Sequence, residues 1–263
     1  MSKNDFKVSV ITVVKNAAKT IVRCMESVAE QTYQNVHHIL IDGNSTDGTT
    51  GLIESFVRSR NSVNYCHIIG QDNSLWHAMN IGITESSGSD FVIFLNSDDI
   101  FSENLFIELA IRQMASECLE LLYGPVLVGR FGDTKFDIIR TYPAYDLCAR
   151  NLVCGLMPPH PGAVFSRRLF SDYGLYLEDG KQYAPDFEFY VRLMLGEIKY
   201  SITDCPSVHM SMDGLSHTDK AYIFSRAKRQ VNSLGRNGIR SSYLVIFVHK
   251  IFKLCNRVFG KAY

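Results

Sequence analysis

The stretch Val8–Val14 reads VSVITVV, and this short run of β-branched residues predicts a buried strand. Three more apolar runs follow it, and a segment with helical spacing of its apolar residues separates each run from the next. The predicted strands are Val36–Ile41, Val63–Ile69 and Phe91–Leu95, and the predicted helices are Ala17–Glu30, Leu52–Val57 and Ser74–Thr84. Three strand–helix units followed by a fourth strand favour an α/β fold with a mostly parallel sheet covered by helices.

The pattern changes after residue 102. A predicted helix (103–114) leads to two segments that favour antiparallel strands, LLYGPVLVG (121–129) and TKFDIIR (134–140). The later predicted elements are a strand running into a helix at 162–170, a helix at 186–195 and a short strand at 199–203. We expect one α/β domain at 1–217, with halves at 7–102 and 103–217 and a small antiparallel portion, followed by basic helices at 218–263.

Charge is distributed unevenly along the chain. The 263 residues carry 27 Lys+Arg and 27 Asp+Glu, so no overall positive field points to a nucleic-acid partner. Residues 218–263 hold ten of the bases and a single acid, Asp219, which gives that segment a formal charge of +9. The chain therefore resembles an acidic body followed by a basic tail.

The seven cysteines, at 24, 66, 118, 148, 154, 205 and 255, form no CxxC pair, which disfavours both a zinc site and a disulfide framework. The start MSKNDFKVSV has no long apolar stretch of the kind found in signal peptides. The longest unbroken apolar run, Tyr243–Val248, is far shorter than the roughly 20 residues that span a bilayer. We expect reduced thiols and a cytoplasmic location.

Polar residues follow each of the four predicted strands of the first half. These clusters are Lys15-Asn16, Asp42-Gly43-Asn44, Gln71-Asp72-Asn73 and Asn96-Ser97-Asp98-Asp99. In parallel α/β sheets, ligands bind beyond the carboxyl ends of the strands, where these clusters would meet. The arrangement therefore predicts a ligand site at that edge of the sheet.

The acids of these clusters have two readings each. Asp98 and Asp99 suit Mn²⁺ or Mg²⁺, which takes one or two carboxylates and completes its shell with water and phosphate oxygens, or they cap the following helix. The segment DGNSTDG (42–48) fails the EF-hand pattern, because position six is Asp47 and position twelve is Ile53. A turn explains Gly43 to Asp47, and we expect that turn to leave Asp42 available to a nucleotide base or ribose.

Three ordered segments resemble family 2 glycosyltransferases of the GT-A fold, in particular bacterial surface-polysaccharide enzymes. They are residues 8–49, from VSVITVV to IDGNSTDGT, then QDNSLWHAMNIGI (71–83) and FVIFLNSDDIF (91–101). The family carries VDGxSTDGT, DxGIYDAMNxGI and LNxDD at these places. The resemblance covers residues 7–102 closely and 158–216 more loosely, and it implies transfer of a sugar, with a UDP-hexose as the expected donor.

The resemblance implies a role for each matching residue of the first half. Asp42 matches the acid that contacts the base, and Thr12, Val14 and Asn16 belong to the loop beside that base. Asp72 lies in the segment that passes the nucleotide and sugar. The other expected donor contacts are Asn44, Asn96, Ser97 and Asp98. Asn96 stands in the first place of the DxD motif, so metal ligation is expected on Asp98 and then Asp99, with His209 as a later third ligand.

In the second half, APDFEF (184–189) resembles the family element that carries the general base of inverting members, which implies Asp186 for that role. The alternative is that Asp186 only caps a helix and Glu188 is its solvated first turn. Trp76 is either a sugar platform or a packed aromatic, and it stands with His77 where the family has Tyr-Asp. His160, Arg167, Arg168 and Glu188 are the other expected acceptor-side residues, with ordinary structural or surface roles as the alternative.

The basic tail predicts an amphipathic helix at 242–259, with apolar residues such as Phe247, Ile251 and Phe252 on one side and Lys/Arg on the other. It fits either an anionic membrane surface or a helix packed on the acidic body. The expected partners are a nucleotide-sugar and a glycan or polyprenyl-diphosphate-linked acceptor of O-antigen, capsule or exopolysaccharide synthesis. A catalytically silent protein of the same fold is the rival, whereas an NAD-dependent enzyme is disfavoured because KNAAKT (15–20) replaces G-x-G-x-x-G.

Overall fold

The computed structural model describes residues 6–60, 64–70, 74–132, 135–212 and 220–246, and of residues 220–224 it describes the backbone alone. The helices are α1 (Ile21–Ala29), α2 (Thr49–Ser59), α3 (Leu75–Glu85), α4 (Phe106–Ser116), α5 (Ala149–Val153), α6 (Arg168–Asp172), α7 (Pro185–Leu195) and α8 (Lys220–Arg236). No helix in the described part of the chain has the length and apolar character needed to cross a membrane.

A seven-stranded sheet forms the centre of the molecule, in the order β10-β6-β9-β4-β1-β2-β3. Its strands are β1 (Val8–Val14), β2 (Val36–Asp42), β3 (Asn64–Ile69), β4 (Phe91–Phe94), β6 (Leu121–Tyr123), β9 (Val164–Ser166) and β10 (Tyr200–Ile202). Strands β1 to β4 are parallel, and β9 runs antiparallel between β4 and β6. The predicted α/β class with a mostly parallel sheet is confirmed.

A second sheet has the strand order β5-β11-β7-β8, and three of its four strands come from the second half of the domain. Its strands are β5 (Ile100–Phe101), β7 (Val126–Phe131), β8 (Phe136–Tyr142) and β11 (Val208–Ser211). The segment LLYGPVLVG is not one strand: Gly124-Pro125 divides it between the two sheets, since proline cannot donate to a ladder. Strands β5 and β11 and helix α5 were not expected, because each is short and has little periodicity.

The described part of the basic tail packs on the body of the molecule. Ala227 and Leu234 of α8, together with Ile246, are almost fully buried in the largest hydrophobic cluster, which also contains Phe187 of α7. Residues 220–246 therefore share a core with the α/β domain. Most of the amphipathic helix expected at 242–259 falls in residues 247–263, outside the described residues, so its membrane contact stays a prediction.

Candidate active site

The turns after β1 and β2 are joined by hydrogen bonds at the carboxyl edge of the sheet. The Asn16 N–H donates to Ser45 Oγ at 2.9 Å, and Asn16 Oδ1 accepts the Thr46 N–H at 2.9 Å. The Ala18 N–H donates to Asp47 Oδ2 at 3.0 Å. Because each bond crosses from one turn to the other, the two turns form a single surface.

Asp42 shapes this surface from beneath. It is fully buried, with Oδ1 accepting the Ser45 N–H and hydroxyl at 2.9 and 2.7 Å and Oδ2 accepting the Thr50 hydroxyl at 2.7 Å. His67 Nε2 lies 3.8 Å from Oδ2. The expectation that the turn leaves the Asp42 carboxylate available is therefore wrong. Asn44 is exposed on the same turn with a φ of 62°, in the left-handed region that asparagine tolerates.

Thr12 and Val14 face the interior as well. Thr12 Oγ1 lies 3.0 Å from His38 Nε2 inside the sheet, where burial lowers the pKa of His38 to about 3. The Val14 side chain is buried, and its carbonyl accepts the Gly43 N–H at 2.8 Å. Alternation along β1 directs both side chains into the packed face, so they do not line the donor site; a contact of the backbone of residues 12–16 with the nucleotide base stays a prediction.

The turn after β4 places two adjacent carboxylates, Asp98 and Asp99, in different surroundings. Asp99 is fully buried, and its oxygens accept the Ser211 N–H at 2.9 Å and Asn96 Nδ2 at 2.8 Å. Burial, and then the neighbouring charge of Asp98, raise the pKa of Asp99. Ser97 and Asp98 are half-buried on the outer side of the turn. Asp99 therefore joins the turn to β11, and the prediction of Asp99 as a metal ligand is wrong.

His209 lies on β11 of the second sheet, and its ring stacks on Phe136 of β8 with centroids 4.5 Å apart. Burial lowers the pKa of His209 below its ordinary value, and the Glu103 carboxylate partly opposes this shift. Among the residues that the structure describes, no three His, Cys, Asp or Glu side chains form a group that could hold a metal. The predicted three-ligand set of Asp98, Asp99 and His209 is therefore not formed. The His209 ring instead stacks on Phe136 of β8.

The start of α3 carries Trp76 and His77. The Trp76 ring packs on Tyr176 with centroids 5.6 Å apart, and His77 Nδ1 lies 3.1 Å from Glu178 Oε1. Trp76 is half-buried in this contact, which is the packed-aromatic alternative. Asp72 lies outside the described residues, so its donor contact stays a prediction.

Asp186 lies in the first turn of α7. It is half-buried, and its Oδ1 accepts the Phe187 N–H at 2.8 Å. His160 donates to or accepts from the Tyr176 hydroxyl at 2.8 Å and stacks on Phe94, the last residue of β4, with centroids 4.8 Å apart. Burial lowers the pKa of His160 to about 4, and the Asp186 carboxylate acts in the opposite direction. His160 is thus buried against the end of β4 and lies near enough to the start of α7 to feel the charge of Asp186.

The two arginines expected at the acceptor lie at the opposite edge of the sheet. The Arg167 N–H donates to the Asp90 carbonyl at 2.8 Å, just before β4 begins, and Arg167 Nη1 reaches Ser171. Arg168 is exposed and pairs with Glu120 at 2.8 Å. Because antiparallel β9 ends where β4 starts, both residues take the structural or surface alternative, and their expected place on the acceptor side is wrong.

Glu188 is also structural. It is buried, its Oε2 accepts from Arg192 Nε and Nη2 at 2.9 Å, and its Oε1 accepts from Asn237 Nδ2 at 3.1 Å. The prediction of Glu188 on the acceptor side is wrong, because its carboxylate joins α7 to the end of α8. A residue not foreseen is Arg23, whose guanidinium lies 3.5 Å from the Phe131 ring centroid and 3.5 Å from the Asp98 carbonyl. Helical spacing alone gave no signal for it.

Comparisons with known proteins agree with this fold. The model of glycosyl transferase family 2 matches residues 9–174, and the chain belongs to that family. GlyG of Streptococcus pneumoniae is 32% identical over 117 residues, which are 44% of this chain and 38% of that protein. A PGL/p-HBAD biosynthesis glycosyltransferase of Mycobacterium tuberculosis is 27% identical over 173 residues, 64% of this chain and 62% of that protein. The matches thus span less than two thirds of these relatives.

Solved structures share the fold. S. aureus TarS 1–349 in complex with UDP superposes with a TM-score of 0.61 at 16% identity, covering 97% of this chain and 72% of that one. Mannosyltransferase PcManGT from Pyrobaculum calidifontis, in complex with GDP-Man and Mn²⁺, gives a TM-score of 0.64 at 12% identity, covering 98% and 76%. Both are GT-A glycosyltransferases, so the predicted fold is confirmed.

Proposed function

We propose that the protein is a metal-dependent, inverting glycosyltransferase that moves a hexose from a nucleotide-sugar to the hydroxyl of a glycan or lipid-linked sugar. The observation that carries this proposal is the placement of two half-buried carboxylates: Asp98 follows β4 directly, and Asp186 lies in the first turn of α7, near enough to the buried His160 beside Phe94 to act on its pKa. Family membership supplies the class of reaction. A fold neighbour crystallised with UDP-GlcNAc supports a uridine nucleotide as the donor.

The donor would lie against the joined turns of β1 and β2. Asn16 and Asn44 are exposed there, and Ser97 is half-buried beyond β4, so polar groups from three strands face one edge. Asp42 contributes by holding the turn, through its bonds to Ser45 and Thr50. Asp42 thus keeps the turn in shape, while the exposed residues of the surface would contact the nucleotide. A surface that is already formed before binding limits the entropy lost when the nucleotide binds.

The residues present fit a divalent metal that is held mainly by substrate. Asp98 is the half-buried carboxylate of the turn, and the amide oxygen of Asn96 is its neighbour in the motif. Mg²⁺ and similar ions often take only one or two protein carboxylates together with substrate phosphates. Such an ion, when bound, supplies charge neutralisation for the departing diphosphate. The fold neighbour with GDP-Man and Mn²⁺ supports Mn²⁺ as one such ion.

Asp186 is proposed as the general base. An acceptor hydroxyl gives its proton to the carboxylate while its oxygen forms a bond to the anomeric carbon. The bond from that carbon to the diphosphate breaks on the opposite face, which inverts the configuration. A carboxylate in this role contributes typically about 10²–10⁴-fold.

The proposed setting is synthesis of O-antigen, capsule or exopolysaccharide on the cytoplasmic face of a membrane. The support is the family likeness together with the basic tail at 218–263, which carries a formal charge of +9. Tyr243, Leu244 and Val245, the last described residues before Ile246, are exposed apolar side chains beside the basic Arg240. An apolar and basic segment of this kind suits an anionic lipid surface.

A catalytically silent nucleotide-sugar-binding protein is the second candidate. It is favoured by one observation: both oxygens of Asp99 accept hydrogen bonds, from Ser211 and Asn96, so a metal ion would have Asp98 as its one carboxylate ligand from this turn. The two candidates differ in turnover, because transferases generally also pass the donor sugar slowly to water.

A panel of UDP-, GDP- and dTDP-sugars, each with and without Mn²⁺, separates them by release of nucleoside diphosphate. We expect metal-dependent hydrolysis of at least one UDP-sugar. Tight nucleotide binding with no release from any donor, with or without acceptor, would establish the silent protein instead.

A further inference from the structure

A segment that we name the strap, residues 174–184, connects α6 to the start of α7. On one side it is fixed to α3. Asn80 Nδ2 donates to the Tyr176 carbonyl at 2.9 Å, and Asn80 Oδ1 accepts the Tyr176 N–H at 3.0 Å. His77 pairs with Glu178 at 3.1 Å. The strap is therefore held to the helix that follows the expected donor segment.

On the other side the strap is fixed to α8, the helix formed by the basic tail. Three side chains of α8 bond its backbone: Arg229 Nη1 donates to the Gly180 carbonyl at 3.0 Å, Asn232 Nδ2 donates to the Gln182 carbonyl at 2.9 Å, and Ser233 Oγ accepts the Ala184 N–H at 3.1 Å. The Arg236 guanidinium lies 5.7 Å from the Tyr183 ring centroid. These four side chains lie on one face of α8. The helix therefore holds residues 180–184, the end of the strap that leads into α7.

The bond to Ala184 has the most direct consequence for the site. Ala184 is the N-cap residue of α7, and its carbonyl accepts the Glu188 N–H at 2.8 Å as the first bond of the helix. Ser233 is fully buried and its hydroxyl donates to the Arg229 carbonyl at 2.9 Å, which orients the oxygen toward Ala184. The residue where α7 begins is therefore set by α8, and Asp186 follows it by two residues.

We propose that Ser233 is a positioning residue for Asp186, and that α8 with the strap forms the wall of the acceptor site. This inference rests on the proposed function, since Asp186 acts there as the base. A base must lie within about 2.6–3.2 Å of the hydroxyl whose proton it takes. A small displacement of the α7 start changes this distance, while the donor surface on β1 and β2 stays in place.

The test compares Ser233→Ala with Ser86→Ala. Both serines are buried and donate to a carbonyl of their own helix, but Ser86, at the end of α3, bonds Gly82, Ile83 and Ser89 and makes none of the bonds that hold the strap. In Ser233→Ala we expect turnover at saturating donor to fall about 10- to 100-fold, with the Kd of UDP unchanged. Ser86→Ala should retain wild-type turnover at temperatures where both variants are folded.

Three results would overturn the proposal: wild-type turnover in Ser233→Ala, equal losses in the two variants, or a loss of UDP affinity that accounts for the loss of turnover. If Ser233→Ala does not fold, Asn232→Ala is judged by the same criteria. A wild-type protein that transfers no sugar would remove the proposed function alone. Amide hydrogen exchange still decides the structural part, since Ser233→Ala should lose protection across 180–188 and Ser86→Ala should not.

Discussion

The turn after β2 and the start of α7 hold their carboxylates in place by different means. Asp42 is bonded by Ser45 and Thr50, which lie three and eight residues further along the chain. The start of α7 at Ala184 is bonded by Ser233, which lies 49 residues away. The donor side is therefore organised by local turns, and the acceptor side by contacts between distant helices.

This difference teaches which substitutions act locally. The bonds of Asp42 can be weakened while the rest of the sheet keeps its register, because they reach only Ser45 and Thr50, close by in sequence. The acceptor side depends on bonds between α3, the strap, α7 and α8, so the loss of one of those bonds is transmitted to the other helices. The following predictions test that contrast, beginning with the largest expected effect.

Removing the outward carboxylate of the β4 turn should abolish transfer. Asp98→Ala and excess EDTA should each lower the transfer rate by about three orders of magnitude, because several kcal/mol of charge neutralisation on the diphosphate are lost. Mn²⁺ or Mg²⁺ should restore the chelated wild type. Asn96→Ala is the matched change in the same turn and should cost far less. Full activity in excess chelator would remove the metal from the account.

Removing the buried Glu188 carboxylate, which pairs with Arg192 of its own helix and lies 3.8 Å from Arg236 of α8, should be costly to stability. Glu188→Gln leaves Arg192 without its buried carboxylate, and loss of one partner of such a pair costs about 3–5 kcal/mol of unfolding free energy. Glu54→Gln removes an exposed (i, i+4) pair with Arg58 and should cost at most about 0.5 kcal/mol. Urea unfolding measures both. Equal costs would contradict the claim that the Glu188 carboxylate is a buried structural group.

Asp42→Ala should act on stability before it acts on donor binding. It leaves half-buried donors of Ser45 and Thr50 without an acceptor, at up to about 1–3 kcal/mol for each group that stays unsatisfied. Asn44→Gly, on the exposed side of the turn, suits the positive φ and should keep wild-type stability. An Asp42→Ala protein of wild-type stability with weak UDP binding would return Asp42 to direct base contact.

The smallest effect concerns the end of the tail. Anionic vesicles should bind the protein at low salt and release much of it at high salt, since each Lys or Arg near the surface adds about 1 kcal/mol that salt screens. Ile246 belongs to the core, so the truncation should remove only residues 247–263. The truncated protein should lose vesicle binding and keep transfer to a short soluble acceptor. Unchanged binding would assign the tail to another role.

The donor half could largely be predicted from the sequence because its information is local. Strand runs, helical spacing and polar residues at strand ends are all patterns of neighbouring residues. They predicted the parallel sheet, which the structure confirms, and a ligand site at its carboxyl edge, which stays a prediction. The same local pattern could not separate Asp98 from Asp99. That distinction depends on Ser211, which β11 brings to the turn from 112 residues away.

The acceptor half could not be predicted at the same level. Arg167 and Arg168 were assigned to the wrong edge, because nothing near them in sequence specifies that β9 runs antiparallel between β4 and β6. Glu188 was read as a solvated first-turn residue or an acceptor contact, because its partner Asn237 lies 49 residues further on. Such pairings are set by packing between distant elements, which a single sequence does not display.

The most direct test of the central claim is the Asp186→Asn variant, which keeps the size of the side chain but cannot accept a proton. The account predicts that transfer falls by about 10²–10⁴-fold, that the Kd of UDP stays at the wild-type value, and that wild-type product has an anomeric configuration opposite to that of the donor. An unchanged transfer rate, or a product that retains the donor configuration, would contradict it.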